Sequence, residues 1–214
     1  MAGIEARIGA MLALQDEVNA RIHPAWRTQG RPWYRAIWVE CAELLDHHGW
    51  KWWKQQTPDR DQVQLELIDI WHFGLSALLA REVPAAAIAD ALAADAGAPG
   101  ERDAEAFRCA VEAFAATTLS TRDFDLAGFA VLLRLAGLDV ATLYRGYVGK
   151  NVLNRFRQDR GYRDGSYRKH WGGREDNEWL VMLCADLDPD SADFATDLYA
   201  ALDACYGSGM DVRG

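Results

Sequence analysis

The sequence is short of the features that mark disulfide-rich and membrane proteins. Only four cysteines occur in 214 residues, far apart and in no Cys-x-x-Cys arrangement. This usage indicates small core residues in a reducing compartment, and it argues against a disulfide framework or a zinc site. No uncharged run approaches the ~18–20 residues of a membrane span, and no basic region precedes an apolar run at the N-terminus. We therefore expect a cytoplasmic protein without a membrane-spanning segment or signal peptide.

Strand signals are nearly absent as well. No stretch sustains an apolar–polar alternation, and no Asn-Gly or Asp-Gly turn lies between β-branched runs. Apolar residues recur at helical spacing instead, which predicts an all-α fold of about eight or nine helices. The predicted helices are about Ile4–Ile22, Tyr34–His48, Pro58–Glu82, Ala85–Ala98, Glu101–Thr117, Asp125–Leu135, Val140–Phe156 and Asp186–Cys205.

One domain, residues 1–214, is the expected organisation. Its rigid core comprises about 1–83 and 138–214, and a lighter helical subdomain comprises about 84–137. That middle stretch is rich in alanine and bounded by proline and glycine. Because small side chains bury little area, we expect this subdomain to be mobile.

The charge of the chain is negative overall but unevenly distributed. The formal net charge is −9, which argues against a nucleic-acid binder that depends on counterion release. Residues 145–169 nevertheless contain eight basic residues and two acids, a local charge of +6 that leaves −15 for the rest. Positive charge concentrated in this way suits a small polyanion.

Two pairs of acids stand at helical spacing. Glu40 and Glu43 are three residues apart, as are Glu66 and Asp69, so each pair shares a helix face. The second pair lies on a segment that is apolar nearly all round, where an unpaired carboxylate is costly. Four acids with no lysine or arginine on those faces predict a site for hard divalent cations, Mg²⁺ first. The alternative is a pair of solvated helix faces.

A basic stretch follows near the C-terminus. Lys150, Asn154 and Arg157 fall on one helix face, Tyr162 follows a glycine turn at Gly161, and Lys169 follows a second one at Gly165. Lysine, arginine, hydroxyl and amide donors are what phosphate oxygens require. The alternative is a solvated basic face. It is less favoured because metal ions at the acids and these basic side chains together would complete a pyrophosphate site.

Three further features have functional and structural interpretations. Gln15 and Asn19 lie one turn apart on the first helix, and amides on a helix face are usually solvated. Trp50 begins a stretch with three tryptophans in four positions, which could wall a base or sugar or simply pack in the core. His72 follows Asp69 by three residues, and such a histidine is more often a hydrogen-bonded core residue than a ligand.

Five stretches, in this order, carry a resemblance to a known family. They are LQDEVN (14–19), WYRAIWVECAELLDHHGWKWWK (33–54), ELIDIWHF (66–73), YVGKNVLNRFRQDRGYRDGSYRKHW (147–171) and EDNEWL (175–180). The fourth stretch is long and specific. With these stretches the chain resembles the all-α, dimeric deoxyuridine triphosphatases (dUTPases), a branch of the all-α NTP pyrophosphohydrolases.

The resemblance implies roles for individual residues. The metal-binding acids would hold two or three Mg²⁺ ions, with Mn²⁺ as a possible substitute, and are Glu40, Glu43, Glu66 and Asp69. Uracil would be read by Gln15 and Asn19, and the deoxyuridine pocket would be lined by Trp50, His72 and Phe73. The phosphates would be bound by Lys150, Asn154, Arg157, Tyr162, Lys169 and Asn177.

The resemblance also implies an activity. The family hydrolyses dUTP, and also dUDP, to dUMP, and it works as a homodimer; neither a nucleic-acid nor a membrane partner is expected. A water molecule would attack the phosphorus with Glu43, or failing it Glu40, as the catalytic proton acceptor. No covalent enzyme intermediate is needed.

Three rival interpretations remain. The nearest is a pyrophosphohydrolase of the same superfamily with another preference such as dCTP, because amides can be reoriented to read either base. A carboxylate-bridged di-iron bundle would need a Glu-x-x-His motif on each of two helices, and here an aspartate follows Glu43 and Glu66 at that spacing. A catalytically idle nucleotide-binding protein is disfavoured because all four acids are present.

Overall fold

The computed structural model describes residues 2–94, 103–188, 191 and 193–208, and its regular elements are almost all helical. The described part contains nine α-helices, a short 3₁₀ turn at Trp26–Thr28 and two short antiparallel strands, which confirms the all-α prediction. The elements are α1 (Ala2–Ile22), α2 (Trp33–His48), α3 (Arg60–Ala80), α4 (Ala85–Ala94), α5 (Ala104–Thr121), α6 (Leu126–Ala136), α7 (Val140–Asp159), β1 (His170–Trp171), β2 (Arg174–Glu175), α8 (Asp176–Asp186) and α9 (Phe194–Ser208).

Local sequence signals explain where several helices begin and end. Helix α3 begins two residues later than predicted, because the Asp59 side chain accepts a hydrogen bond from the Gln62 backbone N–H at 3.1 Å and caps the helix. Asp125 caps α6 in the same way. Helices α2 and α6 end at Gly49 and Gly137, whose positive φ angles of 86° and 75° favour glycine. The predicted helix boundaries at residues 98 and 101 lie outside the described residues.

The chain forms two compact units, Met1–Tyr144 and Arg145–Gly214, which divide within α7. In the first unit α3 is central: it packs against α1, α2 and α6, while α4 packs on α1 and α5 on α2. Helices α4, α5 and α6 of the predicted subdomain therefore belong to this unit. The mobility of residues 84–137, and their separation from a core that includes 138–214, stay predictions.

Helix α3 is apolar nearly all round because it is enclosed. Leu67, Ile70 and Trp71 have no exposed surface, and the Trp71 ring stacks on Phe129 with centroids 5.2 Å apart. By length and composition α3 could cross a membrane, yet two-thirds of its apolar window (67%) is buried in the fold. Such burial is typical of the core helix of a globular domain.

The second unit is organised around aromatic rings. Helix α8 packs against α9 and β2, and the Phe156 ring of α7 lies 5.4 Å from both Tyr199 and Tyr206 of α9. The predicted helix Asp186–Cys205 is wrong in its start, because α8 ends at Asp186 and α9 begins at Phe194. Position 189 of the expected Asp-Pro start lies outside the described residues.

Candidate active site

Three of the predicted metal-binding acids form a carboxylate cluster, Glu40, Glu43 and Glu66. One oxygen from each lies within 4.8 Å of the others. Packing of α2 against α3 brings them together, because the i, i+3 spacing places Glu40 and Glu43 on the α2 face that looks toward Glu66. Glu66 is only 6% exposed, whereas Glu43 is open to solvent.

The cluster concentrates negative charge in a partly dry environment. The pKa of Glu40 is raised to about 8, first by burial and then, in decreasing order, by the charge of Asp69, a hydrogen bond to Glu66 and the charges of Glu66 and Glu43. The imidazole Nε2 of His47 lies 3.6 Å from Glu66 Oε1. Glu40 therefore holds a proton at neutral pH when no cation is bound.

The donor set of this cluster fits a hard divalent cation. Carboxylate oxygens from two helices lie within 4.8 Å of one another, and Mg²⁺ and Mn²⁺ favour such oxygen ligands. A bound cation would remove the repulsion that raises the Glu40 pKa. Asp69 contributes at least through its charge, because it lies near enough to Glu40 to raise that pKa.

A second group of predicted residues forms a buried amide cluster of Gln15, Asn19, His72 and Ser76. Gln15 Nε2 donates to Ser76 Oγ at 3.1 Å and to Asn19 Oδ1 at 3.3 Å. Asn19 Nδ2 donates to the same Ser76 oxygen at 2.9 Å, and His72 Nδ1 lies 3.1 Å from Gln15 Oε1. All four side chains are buried. The structure thus joins three predicted base-site residues through a serine that was not predicted.

The two remaining predicted pocket residues are aromatic. Phe73, next to His72 on α3, is half-buried and stacks on Trp33 with centroids 6.4 Å apart. Trp50 is 46% exposed; its ring lies edge-on to Trp53, and its Nε1 donates to Asp46 at 3.2 Å. Among the described contacts, Trp50 is joined to its own loop and to α2, so its place in a nucleotide pocket stays a prediction.

In the second unit, Arg157 is held by a buried acid. Its Nε and Nη2 donate to Asp176 Oδ2 and Oδ1 at 2.7 and 2.8 Å, and Asp176 is completely buried. Tyr167 donates its hydroxyl to the same carboxylate at 2.9 Å. Burial and the Asp176 charge raise the pKa of Tyr167, so the phenol stays protonated. This bidentate pair fixes the plane of the guanidinium.

Other predicted phosphate ligands belong to the same network. Lys150 Nζ donates to Asn177 Oδ1 at 3.2 Å, and Arg157 Nη1 donates to Asn154 Oδ1 at 3.2 Å. Four of the six predicted residues are therefore linked by hydrogen bonds within this unit, counting the 3.4 Å contact from Arg157 Nη2 to Asn177.

The last two predicted phosphate ligands lie on the loop after α7. Lys169 pairs with Glu175 at 2.6 Å, and this hydrogen bond raises its pKa. Tyr162 is 54% exposed, with its ring 6.1 Å from that of Tyr167. Both side chains are exposed to solvent.

Two residues of these networks, Ser76 and Asp176, were not predicted. Ser76 stands in an apolar helix, where a lone serine gives no functional signal. Asp176 stands in the acidic run EDNE, which is typical of a solvated helix start. The one available signal for Asp176 was its position inside the fifth family-like stretch.

Comparison with known proteins supplies the family. A family model described as dUTPase matches residues 7–162, which include the carboxylate cluster, the amide cluster and the α7 residues from Lys150 to Arg157. A search of curated proteins gives no match. Because the family match covers well over half of the chain and the described fold is all-α, the chain belongs to the all-α dUTPase family, the enzymes that hydrolyse dUTP.

Proposed function

We propose that this dUTP-hydrolysing enzyme is Mg²⁺-dependent, accepts dUDP as well as dUTP, yields dUMP, and works as a cytoplasmic homodimer. The observation that carries the metal dependence is the carboxylate cluster, with oxygens of Glu40, Glu43 and Glu66 within 4.8 Å of one another. Burial and the neighbouring acids raise the pKa of Glu40, and a bound cation would favour its ionised form.

The metal ligands in this proposal are the cluster and Asp69, which would hold two or three Mg²⁺ ions. Mn²⁺ has the same preference for oxygen ligands and would substitute. When bound, the ion neutralises phosphate charge and acidifies water. The contribution of the chain is to hold its carboxylates on two packed helices, so that little reorganisation accompanies metal binding.

Glu43 is the proposed catalytic proton acceptor. Its carboxylate belongs to the cluster yet is exposed, so an attacking water can reach it. Glu40 is the second choice because it is more deeply placed and holds a proton of its own in the free enzyme. In either case water attacks the phosphorus next to the deoxyribose and gives its proton to the glutamate. The P–O bond to the leaving group breaks, and that group is pyrophosphate from dUTP or phosphate from dUDP.

The phosphates are the proposed ligands of the second unit. Arg157 presents a guanidinium whose orientation is fixed by Asp176, and Lys150 is oriented by Asn177. Oriented cations stabilise charge that develops on leaving phosphates better than mobile ones do. Tyr162, Lys169 and Asn154 would supply the remaining donors.

The base is the proposed ligand of the amide cluster. Gln15 and Asn19 are buried and hydrogen-bonded, so each amide is held in one orientation. Uracil presents an acceptor at O4 and a donor at N3, and cytosine presents the reverse. A buried amide that satisfies one pattern leaves unpaired groups with the other. His72, Phe73 and Trp50 would line the pocket.

A substrate panel tests the proposal directly. Pyrophosphate or phosphate release should be measured for dUTP, dUDP, dCTP and the common ribonucleoside and deoxyribonucleoside triphosphates, with Mg²⁺, with Mn²⁺ and with EDTA. We expect turnover of dUTP and dUDP, release of dUMP, and loss of activity in EDTA. Comparable turnover of dCTP and dUTP would contradict the uracil preference and favour the superfamily alternative.

The oligomeric state is tested separately. Light scattering coupled to size-exclusion chromatography should give twice the 23.9 kDa mass of one chain. A single-chain mass that persists across protein concentrations, in an enzyme that remains active, would contradict the homodimer.

A further inference from the structure

Ser76 is the point where the amide cluster converges. It is completely buried on α3, and its hydroxyl oxygen accepts hydrogen bonds from Gln15 Nε2 at 3.1 Å and Asn19 Nδ2 at 2.9 Å. The same hydroxyl donates to the His72 backbone carbonyl at 3.1 Å. One small side chain therefore contacts both amides that the proposed function assigns to the base.

The single proton of the hydroxyl decides the orientation of both amides. A serine has one O–H donor and two acceptor lone pairs, and here the donor is committed to the His72 carbonyl. Toward Gln15 and Asn19 the oxygen can act only as an acceptor, so each amide must turn its NH₂ group toward Ser76. A flipped amide would bring its carbonyl oxygen against another acceptor inside the core.

The orientation of the Gln15 amide also determines which ring nitrogen of His72 carries a proton. With its NH₂ group donating to Ser76 and to Asn19 Oδ1, Gln15 presents Oε1 to His72 Nδ1 at 3.1 Å. An amide oxygen is an acceptor, so Nδ1 of His72 carries the proton of this contact. Ser76 thereby sets the amide directions of Gln15 and Asn19 and the protonated nitrogen of His72.

We propose that Ser76 is the residue that sets the base specificity of the enzyme, by fixing which hydrogen-bonding pattern Gln15 and Asn19 present. This inference rests on the proposed function, in which those two amides read the base. An amide that is free to rotate could serve uracil or cytosine equally well, whereas an amide locked by a third group can serve only one of them.

Removal of the hydroxyl is the first test. In Ser76→Ala, kcat/KM should be measured for dUTP and for dCTP, and we expect their ratio to fall by about tenfold or more because both amides can then reorient. Ser76→Thr retains the hydroxyl and should restore most of the ratio.

Thr118 supplies a matched control. It is a completely buried hydroxyl residue on α5, and its Oγ1 has no hydrogen-bond partner among the described residues. Thr118→Val removes a buried hydroxyl from the same unit without touching the amide cluster, so the dUTP to dCTP ratio should stay at the wild-type value.

The outcomes distinguish a role of Ser76 in base specificity from a purely structural role, and both from a failure of the proposed function. A Ser76→Ala enzyme that loses thermal stability or turnover with both nucleotides, but keeps the wild-type ratio, would overturn the role of Ser76. Calorimetric affinities for dUMP and dCMP should show the same change in ratio without any turnover. A wild-type enzyme with no preference for dUTP would instead contradict the proposed function itself.

A second variant, Ser76→Cys, tests the inference if Ser76→Ala folds poorly. Ser76→Cys keeps nearly the same volume and replaces the hydroxyl with a weak donor and acceptor. The expectation for it is the same fall in the dUTP to dCTP ratio. A soluble Ser76→Cys enzyme with undiminished selectivity would be a result against the inference.

Discussion

In the first unit the carboxyl oxygens of Glu40, Glu43 and Glu66 lie within 4.8 Å of one another, whereas in the second unit several basic side chains each lie against an acid. The pairs among the described residues of this unit are Arg155–Asp159, Arg157–Asp176, Arg160–Asp203 and Lys169–Glu175. In the carboxylate cluster a hydrogen bond between Glu40 and Glu66 and the nearby His47 limit the repulsion between the acids, whereas in the second unit Asp176 fixes the direction of the Arg157 guanidinium. Acidic groups gathered at one place and basic groups oriented by ion pairs are thus two different ways to arrange charge in a candidate site.

The largest expected effect is that of Glu43→Gln in the carboxylate cluster of the first unit. Loss of the proposed proton acceptor should reduce kcat for dUTP by about 10²–10⁴-fold, while the metal-free protein should be as stable as the wild type or more so, because one like charge is removed. Steady-state kinetics and thermal denaturation in EDTA measure the two effects. Glu112→Gln, an exposed acid on α5, is the control. An active Glu43→Gln enzyme would refute the assignment.

The variant Asp176→Asn tests the Arg157–Asp176 pair of the second unit. Breaking a buried bidentate pair should destabilise the protein by about 3 kcal/mol and raise KM for dUTP about tenfold, because Arg157 loses its fixed direction. Urea denaturation and kinetics measure these changes. Asp203→Asn breaks the exposed pair with Arg160 and should cost less than about 1 kcal/mol. Equal losses in the two variants would show that burial of the Asp176 pair is unimportant.

The smallest expected effect is a pH dependence of the metal-free protein. The pKa of Glu40 is about 8 in the folded chain, above its ordinary value of 4.5, so between these values the folded state binds a proton that the unfolded state has lost. Stability should therefore fall as pH rises from about 5 to 8, by roughly 1–2 kcal/mol given that Glu40 is partly exposed. Denaturation in EDTA at both pH values measures the fall.

Two changes should abolish this pH trend. Glu40→Gln removes the titrating group, and Mg²⁺ favours the ionised carboxylate. A fall in stability of the same size in Glu40→Gln would locate the titration elsewhere.

Much of the fold was predictable because helices follow local rules. Periodicity and capping placed α1, α2 and α7 within about three residues of their observed boundaries. The strands β1 and β2, of two residues each, are too short to show an alternating pattern. Helix α8 begins directly after β2 with acidic residues, and its start depends on the Glu175–Glu178 capping box rather than on an apolar face.

The parts of the candidate site that depend on residue spacing along one helix could be predicted from the sequence. The i, i+3 acids predicted the carboxylate cluster, since helical geometry alone puts each pair on one face. Ser76 and Asp176 could not be predicted in the same way, because their partners lie 57 to 61 and 19 positions away and only tertiary packing brings them together. Trp50 remains the predicted pocket residue whose described contacts lie with its own loop and α2.

Helix α3 carries both Glu66, a proposed metal ligand, and Ser76, which accepts hydrogen bonds from Gln15 and Asn19 of the amide cluster. Ten residues separate them, and at 1.5 Å per residue the helix holds them about 15 Å apart along its axis. In the proposed function, the helix thus sets the distance between the metal site at the phosphates and the site of the base. A single residue inserted between the two positions would turn one of them by about 100° and away from its partners. Lineages of this enzyme should accordingly vary in the length of their loops while this interval stays constant.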